Sequence, residues 1–76
     1  MEQYKILVDE FNHFISRFNN AEKWFNANGE KVTAKHIQEL NYIIKEASIR
    51  MKMIETYRGY KVSPEESAEG IKTYNI

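Results

Sequence analysis

Glu10 stands three residues before His13, and Glu39 three residues after His36. Glu-x-x-His is the spacing by which carboxylate-bridged bundles present metal ligands from one helix, and the second pair is its reverse. That chemistry requires every ligand to project into a shared core. Phe11 and Phe14 occupy the inward rows here, which turns Glu10 and His13 to the flanks, and no inward carboxylate remains to complete a ligand set. His36 falls in a first helical turn beside a capping residue. Both histidines read as packed or solvated side chains, and no metal site is expected. Nucleophilic catalysis has no better footing, because Ser16, Ser48, Ser63 and Ser67 lie in no strand-turn-helix elbow. The glycines stand singly, so there is no loop to cradle a phosphate. The expectation is a non-enzymatic chain without a cofactor.

Charge offers more. Residues 1–30 carry net −2, residues 31–61 net +4 and residues 62–76 net −2, a dipolar arrangement hidden by an overall charge of zero. Within the positive segment, Lys45, Arg50, Lys52, Tyr57, Arg58, Tyr60 and Lys61 set cations beside tyrosines. Proteins hold phosphate backbones and stack unpaired bases with that combination. These seven residues form the candidate nucleic-acid site, for single-stranded or branched DNA in replication, recombination or repair. The competing reading is a solvated helix face whose long side chains snorkel over the core. Zero net charge, only three arginines and the interleaved Glu46 and Glu55 favour the second reading. Trp24 is the candidate partner-binding residue, since a part-exposed tryptophan often anchors an interface. It would serve equally well to close the end of a bundle.

The elements that must position these residues are helical. Tyr4, Phe11, Phe18 and Phe25 recur every seven residues, Leu7, Phe14 and Ala21 form a second row, and Val8 and Ile15 widen the stripe. They predict a helix over about 3–28, with Gly29 suited to a left-handed position just beyond it. Thr33 reads as an N-cap flanked by Val32 and Ile37 at hydrophobic-staple spacing. Ile37, Leu40, Ile44, Ala47, Met51 and Ile54, with Ile43 and Tyr57 broadening the face, then predict a second helix over about 34–58, stopped by Gly59. Ser63-Pro64-Glu65-Glu66 has the cap, the proline and the capping-box acid of a short third helix over about 64–69. Residues 70–76 follow as a tail, loose or docked.

Asn19-Asn20 leaves two architectures open, because asparagine is a poor helix former that caps well. A bend there would give a compact four-helix bundle. A continuous helix would give a hairpin of ~25-residue arms, each ~38 Å long, with apolar surface left over for a dimer or another protein. Either way the fold class is all-α, a small bundle of three to four helices forming one domain over 1–76. The expected core is Leu7, Phe11, Phe14, Phe18, Phe25, Ile37, Leu40, Ile44, Ala47, Met51 and Ile54.

With 76 residues and no cysteine, the chain has neither a disulfide staple nor a large core to stabilise it. Its apolar runs are too short for a membrane span, so a cytoplasmic location is expected. Phe, Tyr, Met, Ile, Asn and Lys supply 36 of the residues, and their A/T-rich codons suggest a low-GC bacterium or a phage. The functional expectation is a small accessory or regulatory protein, phage- or mobile-element-encoded, that binds a larger protein or pairs with itself. DNA binding through the basic strip of the second helix is the alternative.

Overall fold

The computed structural model describes residues 2–74. Helix α1 runs over Glu2–Ala27, a 3₁₀ turn over Gly29–Lys31, helix α2 over Ala34–Arg58 and short helix α3 over Pro64–Glu69. There is no strand among the described residues. The fold is therefore all-α, a long antiparallel hairpin with a short third helix laid against α1. Its extents are 43 × 18 × 18 Å. No helix among the described residues is long and apolar enough to cross a membrane. Asn75 and Ile76, the end of the expected tail, lie outside the described residues.

Helix α1 passes through Asn19-Asn20 without a break. Asn19 has a use that its helix propensity hides, since its Nδ2 donates to the Ala68 carbonyl 3.0 Å away at the end of α3. Asn12, seven residues earlier on the same face, accepts from the Ile71 N–H at 2.7 Å and donates to the Ile71 carbonyl at 2.8 Å. Two asparagines at heptad spacing thus hold α3 and the tail against α1. Tyr74 extends the seam by donating its hydroxyl to Asp9 at 2.6 Å. The tail through Tyr74 is docked.

The caps follow local chemistry. Thr33 Oγ1 accepts from the His36 N–H, and His36 Nδ1 accepts from the Thr33 N–H at 3.1 Å. Ser63 and Glu66 form the same reciprocal box at the start of α3. Gly59 ends α2 in a left-handed conformation, φ 84°. Gly29 departs from expectation: among the described residues, the glycines with positive φ are Gly59 and Gly70. Asn28 ends α1 instead, donating from both its N–H and its Nδ2 to the Trp24 carbonyl at 2.9 Å. That spends the freed carbonyl without a left-handed residue.

The buried core consists of Tyr4, Val8, Phe11, Phe14, Ile15, Ile43, Ala47, Ile54 and Ile71, with Leu7, Phe18, Met51 and Val62 packed around it. Ile37 and Ile44, expected inside, are 49% and 43% exposed, while Ile43 is 5% exposed. Phe25 and Leu40 are only partly buried. The cause lies at the end of α2. Arg58 is buried, and Ile54, Ala47 and Ile43 stand four, eleven and fifteen residues before it, on its own face. Turning Arg58 inward rotates that row into the core and swings Ile37 and Ile44 to the flank.

Candidate functional site

Arg58 illustrates how the basic strip is distributed. Its side chain is 1% exposed and its Nη2 lies 2.8 Å from Glu66 Oε1. The guanidinium also donates to Glu66 Oε2 at 3.2 Å, to the Tyr60 carbonyl at 3.2 Å and to the Lys61 carbonyl at 2.8 Å. Its flat face lies 4.0 Å from the centre of the Tyr60 ring. Hydrogen bonds from Arg58 hold the Glu66 carboxyl below its usual range, outweighing burial. One arginine thus ties the end of α2, the following loop and the start of α3 together. Glu55 assists by accepting from the Val62 N–H at 2.8 Å. These groups hold the end of α2, the loop and α3 together.

Arg50 is committed too. Its Nη1 donates to Glu46 at 2.7 Å, its Nε to Glu10 across the hairpin at 3.2 Å, and its guanidinium lies 4.9 Å from the Phe14 ring centre. Tyr57 stacks on Tyr4, ring centres 5.5 Å apart. The proposed strip is therefore divided. Lys52, Tyr60 and Lys61 share a shallow hollow with Glu55, Thr56 and Gly59, and Lys45 stands two turns before Lys52 on the same side of α2. Arg58 lies beneath Tyr60, bonded to the Tyr60 and Lys61 carbonyls, and Arg50 points across the hairpin to Glu10.

Trp24 lies at the closed end of the hairpin, its ring centre 4.4 Å from that of His36, with Phe25 6.4 Å from the same imidazole. It is 37% exposed, so it covers the end of the bundle and still presents an edge. Among the described residues no group of three His, Asp or Glu side chains is placed to hold a metal ion.

A concavity that takes in only Lys52 and Tyr57 of the candidate strip lies at the open end of the hairpin, on the side away from α3. Gln3, Ile6 and Leu7 of α1 and Lys52, Met53, Thr56 and Tyr57 of α2 line a groove of about 640 Å³. At 100° per residue, Ile6 and Gln3 stand on the opposite flank of α1 from Asn12 and Asn19, which α3 occupies. Ile6 is 52% and Met53 49% exposed. Ile49 and Tyr42 continue the exposed row along α2, and Tyr42 meets the edge of Phe14 with centres 6.2 Å apart. The signal was present in the sequence: Tyr42, Ile49 and Met53 form a second apolar row on α2, about 100° or more from the buried one. Comparison of the chain with protein-family models, with curated proteins and with solved structures finds no match in any of the three.

Proposed function

We propose that the protein is a small, non-enzymatic accessory or regulatory protein that acts by binding another protein through the open face of its helical hairpin. The observation that carries this reading is the apolar groove of Ile6, Leu7, Met53 and Tyr57, left uncovered while the opposite side is closed by α3 and the tail. Exposed isoleucine, methionine and tyrosine in one contiguous concavity suit an α-helical or loop partner better than they suit water. The ion pairs also fit a non-catalytic role, since Arg50 and Arg58 serve the hairpin and its loop. The test is capture from the native host with wild-type and Met53→Glu protein as parallel baits. The reading expects a partner held by wild type and lost with Met53→Glu, whose helical circular dichroism is unchanged. Equal capture by both baits would remove the groove from the mechanism.

A second reading, nucleic-acid binding accessory to replication, recombination or repair, draws support from the hollow in which Lys52 and Lys61 accompany Tyr60. With Arg50 and Arg58 engaged elsewhere, it retains Lys45, Lys52 and Lys61 as cations and predicts weak, strongly salt-dependent affinity. Tyr60→Ala should weaken single-stranded DNA binding by ~1–3 kcal/mol if the ring stacks on a base. Absence of amide shifts between Lys45 and Lys61 on oligonucleotide titration at low salt would end this reading.

A further inference from the structure

We infer that the partner seated on the open face is a second copy of this chain, and that two hairpins pair to form a four-helix bundle. The inference rests on the reading of that face as a binding surface and names its occupant. Three observations support it.

The first is area. A compact 9.0 kDa monomer should expose about 4,900 Å², whereas this chain exposes 5473 Å². The excess, about 600 Å², approaches the ~800 Å² that each partner contributes to a standard protein interface. The second is shape. The radius of gyration is 13.7 Å, against about 11 Å for a compact domain of this length. A second hairpin laid along the open face would double the 18 Å thickness while leaving the 43 Å length unchanged, giving the proportions of a four-helix bundle.

The third is charge. A two-fold axis parallel to the helices sets α1 of one copy over α2 of the other, antiparallel, and keeps each residue at its own height along the bundle. Ile6 and Met53 share one height because they line one groove, so Ile6 of each copy meets Met53 of the other. The outer rim of α2 carries Lys45 and Lys52, which have no ion pair among the described residues. The rim of α1 that would lie against them carries Glu10, whose side chain is 47% exposed even while it contacts Arg50. Glu10 of each copy thereby faces Lys45 and Lys52 of the other, an opposite-charge contact on a rim that also carries Arg17 seven residues on. The alternative two-fold, α1 on α1 and α2 on α2, would set the Lys45 and Lys52 rims of the two copies against each other.

Sedimentation equilibrium across micromolar to millimolar concentrations tests the inference. Wild type should approach twice the 9.0 kDa chain mass, and Ile6→Glu and Met53→Glu should each return it to the single-chain mass with helical circular dichroism retained. Lys52→Glu, fully on the surface, should raise the dimer dissociation constant several-fold at low salt and much less at high salt. A wild-type chain that stays at the single mass throughout would overturn the second copy as occupant. The binding-surface reading would then be judged separately, by Met53-dependent capture of another protein. A dimer that survives both glutamate substitutions would overturn the face.

Discussion

Arg58 decides more of this structure than any other side chain. Four of its five hydrogen-bond acceptors lie on the loop after α2 or on Glu66, and the fifth is the Tyr4 hydroxyl at 3.5 Å. Removing the guanidinium leaves two loop carbonyls and a carboxylate without their donor, so Arg58→Ala should cost on the order of 3 kcal/mol in denaturant unfolding. The pair also imposes a pH dependence whose sign is fixed. Because Arg58 holds the folded-state pKa of Glu66 below its unfolded value, the stabilisation is complete above the ordinary glutamate range. It is lost as pH falls through the folded value. Glu66→Gln should therefore lower stability at neutral pH and flatten the acid limb of the stability profile. An unchanged acid limb would show that other carboxylates govern it.

Within the helices, local signals carried far and non-local ones did not. Thr33, Ser63, Pro64 and Gly59 mark their helix ends through contacts within three or four residues, so sequence order alone exposes them. The face of α2 is different. Ile43, Ala47 and Ile54 form an apolar row there, but Ile37 and Ile44 form a rival one, and the choice agrees with burying Arg58 against Glu66, eight residues on and in another helix. Ile43→Ala should accordingly cost about 2–5 kcal/mol, while Ile44→Ala, on the flank, should cost under about 1 kcal/mol. Denaturation curves with the order reversed would restore the register drawn from the heptad row. Asn19-Asn20 is ambiguous for the same reason: Asn19 reads as a possible helix break until α3 supplies its partner, the Ala68 carbonyl. At Gly70, φ is 94° and a Cβ would come within 2.9 Å of Asn12 Oδ1. That position needs glycine for space as well as for backbone. Of the groove, Lys52 and Tyr57 belong to the basic strip legible in the sequence, while Met53 belongs to a row with Ile49 and Tyr42 that periodicity alone does not rank against the buried one.

As a whole the molecule is a two-arm hairpin closed on one side by its own short helix and open on the other. Its surface, its elongation and the Glu10 and Lys52 flanks are the features that the proposed pairing of two hairpins would use. A second copy lying parallel on the open face, its α1 over α2 of the first, would bury Ile6, Ile49, Met53 and Tyr42, which single-chain packing leaves exposed. The most direct measurement is an isotope-filtered nuclear Overhauser experiment on an equal mixture of labelled and unlabelled chains, where only contacts between copies survive. The account predicts cross-peaks between the Ile6 methyls of one copy and the Met53 methyl of the other. Cross-peaks confined to other residues, or none at millimolar concentration, would contradict it.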